Sequence, residues 1–271
     1  MTDNDLFLVD IGANLSHSSF QADLHQVISN AKAAGVGHII VTGSDLESIE
    51  SAQLMVSEFP DYLTLTAGFH PHTASTFDEF AFQKVREFAR LPEVVAVGET
   101  GLDFNRNFST PKEQEAAFIQ QLELAGEVNK PVFLHQRDAH DRFLSILKEY
   151  RSQLPSGVVH CFTDTREALY EYLDLDMYIG ITGWICDERR GLALQDLVAD
   201  IPSDRLLLET DAPYLLPRSI QPAPKTRRNE PRYLIEVLKT LSHCTGRTVE
   251  AIATETADNA QSLFKLDLNK G

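Results

Sequence analysis

The sequence predicts an α/β protein of the (β/α)8 class, a single-domain TIM barrel, and three observations predict it. Eight short apolar runs, of the kind that form strands buried on both faces, recur along the 271 residues. They stand about 30 residues apart, the length of one strand–helix–strand repeat. Segments with helical periodicity fill the intervals, and no low-complexity linker divides the chain.

In chain order, Leu6 to Asp10 alternates and is apolar enough for the first strand. Gln21 to Ala34 has helical spacing and stops at Gly35, a residue suited to a helix end. Strand-like runs then recur at His38 to Thr42, Leu63 to Gly68, Val94 to Glu99, Pro131 to His135, Gly157 to His160, Tyr178 to Ile181 and Leu206 to Glu209. The helical segments between them are Leu46 to Glu58, Phe77 to Leu91, Lys112 to Asn129, Ala139 to Arg151, Arg166 to Leu173 and Gly191 to Ala199. Pro213 to Pro231, rich in proline and weak in periodicity, reads as a long loop after the eighth strand. Helices near Pro231 to Ser242 and Val249 to Leu263 follow it.

Hydrophobic residues make up 43% of the chain and charged residues 24%, which supports a packed core rather than disorder. A formal net charge of -16 argues against a general electrostatic grip on nucleic acid and leaves a local basic rim as the way to hold phosphate. Cys161, Cys186 and Cys244 are scattered and form no CxxC pair, so neither a disulfide framework nor a cysteine zinc site is indicated. The opening MTDNDLFLVD has no basic segment followed by an apolar stretch. No window approaches the roughly 18 to 20 apolar residues of a membrane span. These features predict a soluble, cytoplasmic protein.

In a (β/α)8 barrel the carboxyl ends of the strands share one face, so residues distant in sequence become neighbours there. The polar residues at those ends are Asp10, His70 and His72 in GFHPH, Glu99 in AVGETGLD, His135 in PVFLHQRD, His160 in VVHCFTD and Asp211 in ETDAPY. A divalent ion takes neutral imidazole and carboxylate donors, and Glu99, His135, His160 and Asp211 offer two of each. Taken singly, each has a plainer reading: a strand-end histidine is often solvated, and Glu99 has Arg137 as a salt-bridge partner. Together they need four separate plain explanations on one rim. His70 and His72 flank Pro71, which stiffens the turn. They read as a second metal position or as contacts to a leaving or phosphate oxygen, with a rigid loop bearing two histidines as the alternative. Glu209 and Asp211 are expected on the same side of their strand, Glu209 one layer deeper as a supporting group or a partner for Arg137. His17, His25, His38, His140 and His243 lie off that face and receive no role.

The runs GETGLDFNRNFSTPKEQEAAF, FLHQRDAHDRF, HCFTDTREAL, YIGITGWICDERRG and LLLETDAPYLLPR resemble the TatD family of metal-dependent deoxyribonucleases, within the amidohydrolase-like barrels. The resemblance runs from VDIGANL at Val9 to Leu15 through NEP at Asn229 to Pro231. It implies a TIM barrel, divalent-metal dependence and phosphodiester hydrolysis. For the bacterial branch it implies 3′ to 5′ exonuclease action on DNA and RNA, and with it a role in DNA repair or degradation. On that basis residues 1–271 read as one metal-dependent hydrolase domain. Residue by residue, the family's metal-binding positions fall on Glu99, His135, His160 and Asp211. There are two departures. Many relatives carry Asp-x-His-x-His on the first strand, where two histidines hold a second metal; this chain has Asp10, Gly12 and Asn14. Gly12 offers no side-chain ligand and Asn14 only an amide oxygen, a feature the bacterial branch shares. Thr163-Asp164 alters the HCFTG motif and adds an acid near the substrate mouth.

Phosphodiester hydrolysis needs an activated water, charge neutralisation at the phosphoryl oxygens and relief for the leaving alkoxide, and a divalent ion supplies the first two. Asp211 is expected to orient or deprotonate that water, with Glu99 beside it in the catalytic set. The resemblance favours Mg2+, and the donor types also suit Mn2+ or Zn2+. Arg106, Arg137, Arg189, Arg190, Lys225, Arg227 and Arg228 follow strand ends and are the candidate phosphate clamps. Phe104, Phe108, Trp184 and Tyr214 lie in the same loops as candidates for stacking bases. The plainer alternative makes DERRG a helix-start salt-bridge cluster and lets the aromatics pack their own loops. The expected partner is single-stranded DNA or RNA as substrate, with no membrane and with the chain acting as a monomer. Two rivals remain: a hydrolase of another ester or amide, such as D-aminoacyl-tRNA deacylase, and a metal-free binding scaffold. The loop arginines weigh against the first and the intact quartet against the second.

Overall fold

Alternation of strand and helix holds along the chain in a computed structural model that describes residues 6–268. The order is β1 (Leu8–Ala13), α1 (Leu24–Ala33), β2 (Val36–Val41), α2 (Leu46–Glu58), β3 (Leu63–Ala67), α3 (Glu79–Ala89), β4 (Val94–Asp103), α4 (Pro111–Val128) and β5 (Val132–Arg137). It continues with α5 (His140–Tyr150), β6 (Gly157–Val159), α6 (Arg166–Asp174), β7 (Tyr178–Ile181), α7 (Leu192–Leu197), β8 (Leu206–Leu208), α8 (Leu234–Thr245) and α9 (Val249–Phe264). The eight strands form one sheet in sequence order. Registers such as Leu8↔Val36, Gly101↔His135 and Ile181↔Leu208 are parallel. The fold is the (β/α)8 barrel that the sequence predicts.

Helix boundaries follow local chemistry. Asp45 and Ser48 form a reciprocal capping box at the start of α2, and Thr110 and Glu113 do the same for α4, with Pro111 in its first turn. Helix α4 stops at Asn129 and α8 at Gly246, both in the left-handed region. The loop expected from Pro213 to Pro231 is present, and the helix after it begins later than its periodicity suggests, at Leu234, behind a single 3-10 turn at Pro231–Tyr233.

The described chain groups into two compact units. One comprises, of the described residues, 6–41, Cys161–Leu169 and 179–268, with β1, β2 and β8 in its core. All six residues of β1 are buried, as are Leu206, Leu207 and Leu208 of β8, and a bridge from Ala13 to Ala212 extends the β1 side to the segment after β8. The other comprises Thr42–His160 and Tyr170–Tyr178 and contains β3 to β6. Its longest strand is β4, ten residues and buried throughout. The sequence pattern ends that strand at Glu99; it runs four residues further, to Asp103, through an irregular register between Val97 and Thr100. Gly101 makes this continuation feasible: its φ is +146°, and a Cβ there would lie 1.9 Å from the His135 carbonyl oxygen of β5.

Candidate metal centre

Glu99, midway along β4, is buried, and one of its oxygens is the focus of three imidazoles. Glu99 Oε1 lies 2.9 Å from His135 Nδ1 on β5, 2.7 Å from His160 Nε2 just past β6, and 3.4 Å from His70 Nε2 in the turn after β3. The two nearer nitrogens stand 3.3 Å from each other. Glu99 Oε1, His135 Nδ1 and His160 Nε2 therefore form a small triangle with edges of 2.7 to 3.3 Å. Donors bound at about 2.0 to 2.2 Å to one ion at right or tetrahedral angles stand about 3 Å apart, so this triangle has the size of one face of a coordination shell.

The electrostatics agree. Burial alone pushes the Glu99 carboxyl up, but attraction to His160 and hydrogen bonds from His135 and His160 hold it well below the usual carboxylate range. Burial pushes His135 down, while Asp103 and Glu99 outweigh it and raise its pKa. His135 Nε2 is buried without a hydrogen-bond partner, 3.7 Å from Asp103 Oδ2; that distance is an ionic approach rather than a hydrogen bond. A ligand histidine usually turns its other nitrogen toward a carboxylate, and Asp103 stands where that carboxylate belongs. The donor set thus fits a divalent ion through Glu99, His135 and His160.

His70 needs a separate reading. Ligand atoms of His70, Glu99 and His135 also lie within 4.8 Å of one another, so by distance this trio qualifies as a metal group. His70 Nδ1, however, accepts a hydrogen bond from the His72 backbone N–H at 3.0 Å. Burial lowers the His70 pKa to about 3, so the ring is neutral and its single proton sits on Nε2, facing Glu99. A protonated nitrogen donates hydrogen bonds and does not ligate. His70 is therefore assigned as a donor. His72, about one-third exposed, has its Nε2 2.6 Å from Asp103 Oδ2 and packs edge-on against the exposed ring of Phe108. Asp103 Oδ1 in turn accepts from the backbone N–H groups of Asn105 and Arg106, at 2.9 Å each. Asp103 is the functional residue that sequence reasoning missed. The only signal for it is the Asp of GLD, and that signal has force only once β4 is known to extend past Glu99.

Asp10, Asn14, Glu209 and Asp211 belong to the other unit and are bonded differently. Asp10 is fully buried; its Oδ1 accepts from Thr210 N at 2.9 Å and Gly12 N at 3.3 Å, and its Oδ2 from Thr210 Oγ1 at 2.6 Å. Burial raises its pKa to about 7, against the lowering effect of those bonds. These contacts tie the end of β1 to the segment after β8. Asn14 Nδ2 donates to Asp211 Oδ1 at 3.0 Å, and Asp211 N donates to Gly12 O at 2.9 Å. The expectation that Glu209 and Asp211 share one side of a strand fails, because β8 ends at Leu208 and Asp211 has a φ of +53°. Glu209 Oε1 accepts from the Cys161 backbone N–H, in place of the Arg137 partnership considered from sequence.

The expected phosphate clamps divide. Arg106, Arg137, Lys225 and Arg227 are exposed and engaged in no ion pair among the described residues. Arg189 and Arg190 share Asp187, at 3.8 and 2.9 Å, and Arg190 lies over the Trp184 ring at 4.4 Å. Arg228 departs from its expected role: it donates to both Asp23 oxygens at 2.8 and 2.7 Å and to Glu230 at 2.9 Å, so it fastens its loop to the region before α1. Phe108 and Tyr214 are exposed, and Tyr214 packs edge-on to His17. Among the described residues no helix is long and apolar enough to cross a membrane.

The family model described as TatD related DNase matches residues 9–265. A protein of Klebsiella pneumoniae named 3′-5′ ssDNA/RNA exonuclease TatD is 50% identical over 262 residues, covering 97% of this chain and 99% of that one. A Rahnella protein of the same name is 51% identical over 263 residues, covering 97% and 100%. Among solved structures, a TatD homolog from Escherichia coli K12 superposes with a TM-score of 0.87 at 29% identity, covering 96% of this chain and 98% of that one. A hydrolase TatD family protein from Entamoeba histolytica gives 0.88 at 25% identity, with the same coverage.

Proposed function

The chain belongs to the TatD-related DNase family, and from that premise we propose that it is a divalent-metal-dependent nuclease that shortens single-stranded DNA and RNA from the 3′ end. The observation that carries this reading is the triangle of Glu99 Oε1, His135 Nδ1 and His160 Nε2, a carboxylate and two imidazoles at ligand spacing in a buried setting. These three residues would hold the ion. When bound, it supplies Lewis acidity at a phosphoryl oxygen and a more acidic water. Mg2+ is the ion proposed from family kinship, and the imidazole nitrogens also accept Mn2+ or Zn2+.

The chain's own groups do the rest. Asp103 backs His135 and fixes its orientation. His70, neutral and protonated on Nε2, donates to an oxygen of the phosphate. Asp211, oriented by Asn14, is the proposed acceptor of the water's proton. Arg106, Arg137 and Arg227, exposed and engaged in no ion pair among the described residues, meet the phosphates of the strand, and Phe108 offers a ring to a base. Arg189, Arg190 and Trp184 form a second, more tightly self-paired contact. The proposal takes residues 1–271 as one cytoplasmic, monomeric hydrolase domain acting in DNA repair or degradation.

The test is digestion of 3′-labelled and 5′-labelled single-stranded DNA with Mg2+, using wild type, Glu99→Ala and His135→Ala side by side. The expected result is early release of the 3′ label as mononucleotide, with each variant slowed about 10³-fold. Metal-independent digestion, or undiminished digestion by both variants, removes the assignment.

A further inference from the structure

Helix α4 carries two glutamines, Gln114 and Gln121, that are both 0% exposed. Seven residues apart, they lie about two turns from each other on one face, among Ala117, Phe118 and Ala125. A polar side chain at a core position is unfavourable unless its amide is fully paired. Both are paired, and in the same way. Gln121 Oε1 accepts from Phe69 N at 2.7 Å, and its Nε2 donates to Phe69 O and Ala117 O, each at 3.1 Å. Gln114 Oε1 accepts from Asp103 N at 2.8 Å, and its Nε2 donates to Asp103 O at 3.1 Å and Ser109 O at 2.9 Å.

An amide that pairs with both the N–H and the C=O of one residue does what a neighbouring strand does. Here it does so where strands have run out: Phe69 lies just past β3, and Asp103 is the last residue of β4. Buried peptide groups at such places need a partner, and α4 supplies it. The two residues so gripped are those that aim the site. Phe69 precedes His70. Asp103 receives His72 and backs His135.

We propose that Gln114 and Gln121 are positioning residues, which set the Asp103 carboxylate behind His135 and the ring of His70 respectively by gripping the Asp103 and Phe69 peptide units. The inference rests on the metal-dependent nuclease reading of this centre. Because the two clamps govern different groups, their loss has different consequences. Without Gln114 the support of a metal-holding histidine loosens. Without Gln121 the metal set is untouched and the phosphate donor loses its aim.

The test uses metal-stripped full-length protein titrated calorimetrically with Mn2+, followed by kcat and KM on a single-stranded DNA oligonucleotide at saturating Mn2+, and the melting temperature. The variants are Gln114→Met, Gln121→Met and, as a control, Asn259→Leu. Asn259 also makes two buried amide bonds, to Ser203 O and Leu206 O at the start of β8. Gln114→Met is expected to bind Mn2+ about tenfold more weakly. Gln121→Met is expected to keep Mn2+ affinity within about twofold and to lose about tenfold in kcat. Asn259→Leu is expected to lower the melting temperature alone. Gln114→Asn and Gln121→Asn keep both the accepting oxygen and the donating amide on a shorter side chain, preserve the fold if the methionine variants do not, and fall between wild type and those variants. Glutamine variants that match Asn259→Leu in Mn2+ affinity and kcat, at a similar loss of melting temperature, overturn the inference while the nuclease reading stands. Wild-type protein that takes up no Mn2+ overturns the metal reading and this inference with it.

Discussion

Two buried carboxylates, Glu99 in one unit and Asp10 in the other, have nearly the same exposure and opposite surroundings. Asp10 is met by donors that cannot change partners: two backbone N–H groups and a threonine hydroxyl. Glu99 is met by imidazoles, which exchange a proton for a metal without moving far. The first arrangement fastens two chain segments together. The second is the proposed ligand set. Both are buried acids, so the neighbouring donors are what distinguish Glu99, the proposed metal ligand, from Asp10, the fastener.

The contrast breaks most readily at His160. Its nitrogen is one corner of the triangle, so His160→Ala is expected to lower the rate of single-strand digestion about 10³-fold at saturating Mg2+. A variant keeping about a tenth of the wild-type rate or more takes His160 out of the centre.

Asp10 provides the complementary test. Its pKa rises from 3.8 to about 7 on folding, so between these values the folded chain keeps a proton that the unfolded chain has released. Stability therefore falls as pH rises through that window, by up to about 4 kcal/mol. Asp10→Asn keeps the shape without the titration, and its urea midpoint is expected to vary less between about pH 5 and pH 8. Equal pH dependence in the two proteins contradicts the fastener role.

A smaller effect separates the arginines. Loss of Arg106 and Arg137 together is expected to raise KM about tenfold and flatten the salt dependence of single-strand binding by about 1.4 in log–log slope. Arg228→Ala, which releases Asp23 and Glu230, is expected to lower the melting temperature with the slope unchanged. A flattened slope for Arg228→Ala, or none for the pair, reverses the division between free and fastened arginines.

Much of this was legible in the sequence, for identifiable reasons. Strands flanked by helices are apolar on both faces, so runs such as Val94 to Val97 and Leu206 to Leu208 stand out, and a histidine directly after such a run, His135 or His160, is conspicuous. Asp103 was hidden because β4 continues past Glu99 through Gly101, a residue type that usually interrupts a strand. Gln114 and Gln121 were hidden because glutamines on a helix read as solvent-facing, and only the ends of β3 and β4 explain their burial. The fate of Arg228 was out of reach because Asp23 lies 205 positions away, and ion-pair choice over such a separation depends on the fold alone.

The most direct measurement is calorimetric titration of Mn2+ into metal-stripped wild type, Glu99→Ala and Asp10→Asn. The expected result is binding by wild type and by Asp10→Asn and its loss in Glu99→Ala. Binding that survives in Glu99→Ala, or that disappears in Asp10→Asn, contradicts the assignment of the chemistry to the Glu99 centre.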